Sequence, residues 1–445
     1  MKQKMPKAKR TLLRPDSLAF SLAAAAQAIT DIRAGSALPQ ALTHAVAQTE
    51  ASITSRGAIQ DITYRATRQL GLTDALLQLL VDKKTGSPLL HSLLQCALAL
   101  LVTTREVAER PPYEAFTVVD QAVTAAATHP ETAHAKGMVN AVLRRFIREK
   151  AALELEARQQ SSALWNYPEW WIDTTKSAYP ESWENILDTG NATPPLILRV
   201  NQRRLTIDAY LRTLADHGIA ARQVGPAAVR LDKPLPVDRI PGFSSGDVSV
   251  QDTAAQLAAP LLDLRDGLRV LDACAAPGGK TGHLLECAAI DLVALDHDAE
   301  RLERVRQNLR RLQLDAVLKT GDAAAQDWWD GTPFDRILAD VPCTASGIVR
   351  RHPDIRWLRR PGDAVRLATL SSRILDNLWQ MLRPDGKLLF VTCSLWPQES
   401  ETQAATFAVR HGAVRLHAPG QLLPTANMDD DHDGLFYALF QKPAI

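Results

Sequence analysis

The fold is decided by one stretch, which reads Asp272-Ala-Cys-Ala-Ala-Pro-Gly-Gly-Lys-Thr281. The apolar segment 268–272 before it predicts a short buried strand, and the segment 280–289 after it predicts a helix. A strand that turns through glycines into a helix is typical of the first unit of an α/β sheet. Such a turn lies at the carboxyl end of its strand, where sheets of this kind bind their ligands.

The same alternation continues toward the C-terminus. Further strands are predicted at 291–295, 315–319, 334–340 and 387–393, and further helices at 298–312 and 363–382. Strands that are separated by helices pair in parallel, because the chain must cross over between them. We therefore predict a Rossmann-like, doubly wound α/β domain over residues 241–445.

The chain before residue 241 divides into two further parts. Over residues 1–150 apolar residues recur at helical spacing and no strand pattern is convincing, which predicts an all-helical domain. Residues 151–240 form a small α/β linker domain in this prediction. It contains strands at 196–201 and 228–231, a helix at 208–217 and several arginines.

The composition is that of a globular protein, with 46% hydrophobic and 23% charged residues among 445. The charge is unevenly distributed. Residues 1–150 hold 19 Lys and Arg against 12 Asp and Glu, a net charge of +7, which leaves −6 for the rest of the chain. This asymmetry fits a protein that meets a polyanion with one part and performs chemistry with another. A modestly basic helical domain with no such partner is the plainer alternative.

Two segments near the N-terminus resemble targeting or membrane signals. Basic residues precede an Ala-rich stretch, but Pro15 and Asp16 interrupt the junction, and the stretch continues into a helical pattern. We predict a basic tail followed by a helix, with a secretion signal as the alternative. The longest apolar run, 89–102, contains polar residues and is too short to span a bilayer. No membrane partner is expected.

The cysteines indicate a reducing compartment. They are five in number, an odd count without a C-x-x-C pair, and lie at positions 96, 274, 287, 343 and 393. Such a sparse set is typical of free thiols in a cytoplasmic protein. The spacing also does not suit a zinc site, so no metal is expected.

The ligand of the glycine loop follows from the residues around it. Lys280 and Thr281 imitate the end of a phosphate-binding P-loop, but Cys274 stands where that motif needs its first glycine. Asp296 lies about 20 positions after the loop, where a carboxylate binds ribose hydroxyls. Asp322 ends the third predicted strand and suits the exocyclic amine of adenine. The set predicts a nucleoside cofactor, and a structural turn in a nicotinamide-type fold is the alternative.

Two more strand ends carry cysteines. One string reads Asp340-Val-Pro-Cys343 and the other reads Thr392-Cys-Ser394. Their strands are neighbours in a doubly wound sheet, so both thiols, Asp340 and the cofactor loop should converge on one crevice. A lone cysteine at a strand end is usually an apolar filler. Two at adjacent ends indicate a function.

These groups suit methylation at carbon-5 of a pyrimidine. A thiolate that adds to carbon-6 makes an enamine, whose carbon-5 attacks the electrophilic methyl group of S-adenosylmethionine. A base then removes the carbon-5 proton and the thiolate is expelled. Asp340 can hold the ring and supply a proton to nitrogen-3. Lys280 is a candidate for lowering the pKa of the attacking thiol.

At these strings the chain resembles the Nol1/Nop2/Sun family of RNA cytosine-5 methyltransferases. The usual family strings are changed only mildly, at Val341, 344–346 and 398–401. The resemblance implies S-adenosylmethionine as cofactor, Cys393 as nucleophile and Cys343 as the group that assists release. The cofactor contacts that it implies are Cys274, Ala275, Ala276, Pro277, Gly278, Gly279, Lys280, Asp296, Asp322 and Asp340.

Longer strings extend the resemblance over nearly the whole chain, toward bacterial members that act on 16S ribosomal RNA. They lie at 241–243, 248–252, 350–360 and 433–438, and the helical domain resembles the RNA-binding fold of NusB through 136–146. The resemblance implies 16S ribosomal RNA as partner, alone or in an assembling subunit, and we expect a cytoplasmic monomer. Transfer RNA as substrate and a non-catalytic role in RNA binding or assembly stay open.

Arginines are the predicted contacts to the RNA backbone. Phosphate contacts of this kind position an RNA without reading its sequence. The target cytosine has to be unstacked to reach a crevice, which favours a loop or a flexible helix end. For the arginines of the helical domain a solvated helix face is the alternative. The predicted contacts are Arg144, Arg145, Arg199, Arg203, Arg350 and Arg351.

Overall fold

A computed structural model describes residues 13–49, 51–82, 86–103, 113–427 and 430–444. The chain divides into two compact units. The first unit comprises Met1–Asn191 and His352–Arg359, and the second comprises Ala192–Arg351 and Arg360–Ile445. The predicted basic tail, up to residue 12, lies outside the described residues.

The described part of the first unit is helical, as predicted. The first helix, α1 (Leu18–Arg33), shows why, because Leu22, Ala25, Ile29 and Ile32 recur every three or four residues and each is at most 1% exposed. Burying a leucine or isoleucine in this way contributes about 1.5–3 kcal/mol. The helices are α1 (Leu18–Arg33), α2 (Leu38–Thr49), α3 (Ile53–Arg68), α4 (Leu70–Leu80), α5 (Pro88–Leu101), α6 (Ala115–Thr128), α7 (Lys136–Ala157), α8 (Ser161–Trp165), α9 (Glu169–Ala178) and α10 (Trp183–Asn191).

The second unit begins with a small antiparallel sheet. Its elements are β1 (Leu196–Val200), α11 (Ile207–Asp216), β2 (Ala221–Gln223), β3 (Ala228–Leu231) and β4 (Val248–Val250), and the strand order is β2-β3-β1-β4. Strand β4 lies beyond residue 240, and helices α8 to α10 lie before residue 192, so the small sheet covers a later stretch than 151–240. Pairing decides this placement: Val248 of β4 faces Val200 of β1, and both are buried.

The large sheet is mixed, with the strand order β10-β13-β9-β8-β5-β6-β7. Strands β9, β8, β5, β6 and β7 pair in parallel, which confirms the predicted doubly wound core. The elements along this stretch of chain are α12 (Ala258–Leu261), β5 (Arg269–Asp272), α13 (Gly279–Cys287), β6 (Asp291–Asp296), α14 (Ala299–Leu312), β7 (Val317–Thr320), β8 (Phe334–Asp340), α15 (Ile355–Leu358), α16 (Asp363–Met381), β9 (Leu382–Thr392), α17 (Glu401–His411), β10 (Val414–Leu422), β11 (Thr425–Ala426), β12 (Asp431–His432) and β13 (Leu435–Gln441). Of these, α15 belongs to the first unit, and β11 and β12 form a separate two-stranded sheet.

Two strands of the large sheet were not predicted. Strand β13 pairs antiparallel with β9 and β10, so it lies inside the sheet rather than at its edge. Its residues Leu435 to Phe440 are all buried, which explains its continuous apolar run. Such a run carries no alternation from which its neighbours or its direction can be inferred.

A short segment from late in the chain belongs to the helical unit. Within His352–Arg359 the fully buried Arg356 lies 3.8 Å above the ring of Tyr167 and donates to the backbone oxygen of Gly190 at 2.6 Å. Trp357 donates its indole N–H to the oxygen of Thr67 at 2.9 Å. These contacts fix the segment by hydrogen bonds and a cation–π contact.

Candidate active site

The cofactor loop leaves β5 and enters α13 through a backbone turn that requires glycine. Gly278 has a φ of +98°, and a Cβ there would lie 3.1 Å from the Cα of Val305. Helix α13 begins at the next residue, so its N-terminal N–H groups open at the carboxyl edge of the sheet. The predicted contacts 274–280 therefore lie on one continuous turn.

The two predicted acidic residues end the neighbouring strands. Asp296 is 3% exposed at the end of β6, and one of its oxygens accepts from the N–H of Ala276 at 3.1 Å. Its other oxygen accepts from the N–H of Asp298 at 3.1 Å. Asp322 follows β7, is exposed, and accepts from the N–H of Ala324 at 2.8 Å. The cofactor loop and these two carboxylates thus lie at the same edge of the sheet.

A third carboxylate, which we did not predict as a site residue, begins the loop. Asp272 is 1% exposed, and the hydroxyl of Thr281 donates to its Oδ2 at 2.7 Å. Its Oδ1 has no hydrogen-bond partner among the described residues. Burial is the main cause that raises the pKa of Asp272 to about 7. The start of the loop therefore retains an unused acceptor.

Lys280 and Asp340 form an ion pair between the loop and the end of β8. Lys280 donates from Nζ to Oδ2 of Asp340 at 2.6 Å. Burial disfavours the charged lysine, but the Asp340 carboxylate outweighs it, with further help from Cys393, and the pKa of Lys280 is raised. Lys280 therefore stays cationic, with the Cys393 sulfur within its electrostatic reach.

The two predicted thiols meet beside this pair. Cys343 follows β8 and Cys393 follows β9, and their sulfur atoms lie 3.4 Å apart. Parallel pairing produces this approach, because Asp340 of β8 faces Val391 of β9 in the register. The hydrogen bond with Cys393 and burial raise the pKa of Cys343 well above its usual range. Cys343 therefore keeps its proton in the free protein.

A buried carboxylate links the two turns that carry the thiols. Glu399 is 1% exposed and accepts from the N–H of Thr344 at 2.9 Å and from the Ser394 hydroxyl at 2.6 Å. The Thr344 hydroxyl also donates to it, at 2.5 Å. In the sequence Glu399 is distinguished only by its place within 398–401, where the chain departs from the family strings. Its partners lie 55 and 5 residues away, so no local pattern indicates them.

The predicted RNA contacts fall into two groups. Arg144 and Arg203 are exposed, and Arg145 is half-buried beside Glu149. Arg199 is 1% exposed and pairs with Glu286 at 2.7 Å, and Arg350 is 4% exposed and pairs with Asp431 at 2.5 Å.

Burial corrects the prediction for Arg199 and Arg350. A buried arginine that gives up its carboxylate partner leaves an uncompensated charge, which is strongly destabilising. Both residues are therefore committed to buried ion pairs and have no surface to offer a phosphate. Arg351 is also engaged, because its guanidinium bridges Asp252 at 2.9 Å and Asp433 at 2.5 Å.

Two kinds of feature are absent from the described residues. Within the ranges that the structure covers, no group of three or more His, Cys, Asp or Glu side chains is arranged to hold a metal ion. In the same part of the chain, no helix has the length and apolar character needed to cross a membrane.

Three family models match successive parts of the chain. The NusB family matches residues 20–148, the ferredoxin-like domain of RsmF/B-like methyltransferases matches 167–238, and the 16S rRNA methyltransferase RsmB/F model matches 259–441. Ribosomal RNA small subunit methyltransferase B of Vibrio vulnificus is 39% identical over 91% of this chain and 95% of its own. The protein of that name from Vibrio cholerae is 40% identical over 86% and 89%.

A solved structure shows the same fold. The crystal structure of PH0851 covers 98% of this chain and 100% of its own, with a TM-score of 0.76 and 22% identity. Fold and site together define a Rossmann-like methyltransferase that carries a NusB-like helical domain and a ferredoxin-like domain. Within that class the chain belongs to the 16S rRNA methyltransferase RsmB/F family, and it is an rRNA methyltransferase.

Proposed function

We propose that this enzyme transfers a methyl group from S-adenosylmethionine to carbon-5 of one cytosine in 16S ribosomal RNA, through a covalent adduct of Cys393 at carbon-6. The observation that carries the proposal is the 3.4 Å approach of the Cys343 and Cys393 sulfurs beside the Lys280–Asp340 pair. The relatives are named ribosomal RNA small subunit methyltransferase B, and this name supports small-subunit ribosomal RNA as the substrate. We propose that the enzyme acts as a monomer.

The residues at the carboxyl edge fit the cofactor. Helix α13 begins at Gly279, and because the first N–H groups of a helix have no acceptor within it, they can serve a ligand there. Asp296 and Asp322 suit its ribose and adenine, and the unused oxygen of Asp272 suits its cationic ammonium group. S-adenosylmethionine, when bound, supplies an electrophilic methyl group to this edge.

The thiols divide the covalent chemistry between them. The Cys393 sulfur forms a bond to carbon-6, and the electrons of the ring double bond move to carbon-5, which becomes the nucleophile. Lys280 favours the thiolate by its charge. Lys280 donates to Asp340, so a proton relayed from the lysine through that carboxylate can reach ring nitrogen-3 as negative charge develops there, and it returns to Lys280 when the ring loses that charge on release.

Release needs a base at carbon-5, and the structure suggests how Cys343 becomes one. In the free protein the hydrogen bond with Cys393 is the largest cause of the raised pKa of Cys343. Once the Cys393 sulfur is bound to carbon-6 it carries no charge, so the largest of the causes that hold the proton on Cys343 is removed and loss of that proton becomes easier. The Cys343 thiolate then takes the carbon-5 proton, and the electrons of that bond expel the Cys393 thiolate.

The exposed arginines remain our proposed contacts to the RNA backbone. Arg144 lies on α7 and Arg203 in the small sheet domain, and both are exposed. We expect Arg144→Ala to weaken RNA binding and to reduce the slope of log affinity against log salt by about 1, because one phosphate contact is lost. A filter-binding salt series, with the buried Arg199 left intact, measures this. An unchanged slope would assign Arg144 to a solvated helix face.

The proposal is tested by bisulfite sequencing of unmethylated 16S ribosomal RNA after incubation with the enzyme and S-adenosylmethionine. One newly protected cytosine is the expected result. The Cys343→Ala variant is expected to accumulate a protein–RNA adduct that survives denaturing electrophoresis, because the adduct forms but is not released. Protection of transfer RNA alone would reassign the substrate, and free turnover by Cys343→Ala would refute the role of that thiol.

A further inference from the structure

Glu399 is a buried carboxylate whose place in the site the chemistry above does not use. Taking a carboxylate out of water is costly unless hydrogen bonds compensate it. A neutral glutamine has nearly the same shape and avoids much of that cost. A charged side chain that is 1% exposed next to two reactive thiols therefore calls for a physical reason.

The partners of Glu399 supply one part of that reason. One oxygen accepts from the N–H of Thr344, one residue after Cys343. The other accepts from the hydroxyl of Ser394, one residue after Cys393, at 2.6 Å. The carboxylate thus bridges the two turns at the residues that directly follow the thiols.

Other contacts hold the same two turns tightly against each other. Gly347 donates its N–H to the oxygen of Cys393 at 2.8 Å, and Leu395 donates its N–H to the Ser346 hydroxyl at 2.7 Å. A Cβ at Gly347 would lie 2.1 Å from the oxygen of Gly434. A change in the Glu399 bridge is therefore transmitted to the sulfur positions rather than absorbed by loose loops.

We propose that Glu399 is a positioning residue, which clamps turn 343–346 to turn 393–396 and so sets the separation of the two sulfurs for the adduct chemistry. This inference rests on the proposed function. Its charge acts as well, because the negative carboxylate is one of the causes that raise the pKa of Cys343. Geometry and charge thus have separate consequences, which different substitutions distinguish.

Glu399→Gln removes the charge and keeps the shape. The amide oxygen can accept from the Thr344 N–H, and the amide nitrogen can donate to the hydroxyls of Thr344 and Ser394, which also accept. Glu399→Asp keeps the charge but is one methylene shorter, so it cannot reach both turns. Thr344→Val keeps the carboxylate and its bond to the backbone N–H while removing one hydroxyl donor.

The experiment measures alkylation of Cys343 and of Cys393 by iodoacetamide across a pH series, in the full-length protein without RNA, with each peptide followed by mass spectrometry. Glu399→Gln is expected to shift the Cys343 profile to lower pH, with a several-fold faster reaction at fixed, mildly alkaline pH. Glu401→Gln is the matched control, because Glu401 is 53% exposed and pairs with Arg415 on the surface. Its profile should equal that of the wild type.

Methyl transfer supplies the second readout. Glu399→Asp is expected to keep a Cys343 profile near that of the wild type and yet lower methyl transfer on the order of 100-fold, since a misplacement of about 1 Å costs that much. Thr344→Val should show the same split with a smaller loss, which keeps the test open if a Glu399 variant fails to fold.

Two results would overturn the inference. One is a wild-type Cys343 profile in a folded Glu399→Gln protein, and the other is full methyl transfer by Glu399→Asp. Absence of methyl transfer from the wild type itself would instead refute the proposed function. The thiol profiles need no RNA, so they would still decide whether Glu399 tunes Cys343.

Discussion

The two halves of the sheet edge are built in different ways. The cofactor half, at the ends of β5, β6 and β7, consists of backbone turns and carboxylates that accept from backbone N–H groups. The thiol half, at the ends of β8 and β9, is held by buried side chains, of which Glu399 is the centre. A cofactor that recurs in many proteins needs only a standard turn, whereas the separation of two sulfurs must be set by specific contacts.

The largest expected effect is a loss of methyl transfer without a loss of cofactor binding, which would separate the thiol half from the cofactor half. Cys393→Ala should lower methyl transfer by at least about 10⁴-fold, because no other group can form the covalent bond. The affinity for S-adenosylmethionine should be unchanged, as isothermal titration calorimetry measures. Cys287→Ala is the control, since Cys287 is an exposed thiol at the end of α13. Normal turnover by Cys393→Ala would remove the basis for a distinct thiol half.

A change in the cofactor half should have the opposite signature. Gly278→Ala places a Cβ 3.1 Å from the Cα of Val305 at a φ of +98°. The strain costs about 1–3 kcal/mol, so we expect S-adenosylmethionine to bind about tenfold more weakly. Iodoacetamide should still alkylate Cys393 at the wild-type rate. Gly267→Ala is matched, because its φ is +81° and nothing lies within 4 Å of the added Cβ.

If Gly278→Ala altered the reactivity of Cys393 as strongly as it altered cofactor affinity, the two halves would be one mechanical unit. The cofactor half and the thiol half would then not be independent parts of this protein.

The last expected effect concerns stability rather than turnover, and it is a pH dependence in the cofactor half. The pKa of Asp272 is about 7 in the folded protein, against 3.8 as its ordinary value. Between about pH 4 and pH 7 the folded state holds a proton that the unfolded state has released, so the free energy of unfolding falls as pH rises. Asp272→Asn does not titrate, and its stability relative to the wild type should therefore grow over this window.

Urea unfolding of both proteins at several pH values measures that difference. A difference that stays constant from about pH 4 to pH 7 would show that burial does not hold the proton on Asp272.

Much of the fold was predictable because its signals are local. The alternation of strands and helices after residue 268 predicted the five parallel strands and the adjacency of the fourth and fifth. Parallel pairing then implied that Cys343 and Cys393 meet, and the structure places their sulfurs 3.4 Å apart. The chemical roles of these residues stay predictions, since they depend on bound RNA.

The arginines show where local signals end. Arg199, Arg203 and Arg144 look alike in the sequence, as cations in basic stretches. Arg199 pairs with Glu286, 87 residues away, and is buried, whereas Arg144 bonds Asn140 one helical turn back and is exposed. The partner decides whether an arginine is a structural ion pair or a surface cation, and a partner so distant leaves no trace in the neighbouring residues.

The sequence by itself determined the class of fold, the cofactor turn and the two thiols, because hydrophobic period, glycine and a few reactive residues act over short distances. Only the tertiary structure decided the antiparallel pairing of β13, the inclusion of His352–Arg359 in the helical unit and the bridge made by Glu399. These features depend on which distant segments share buried space. Packing sets that choice, and packing is a property of the whole chain.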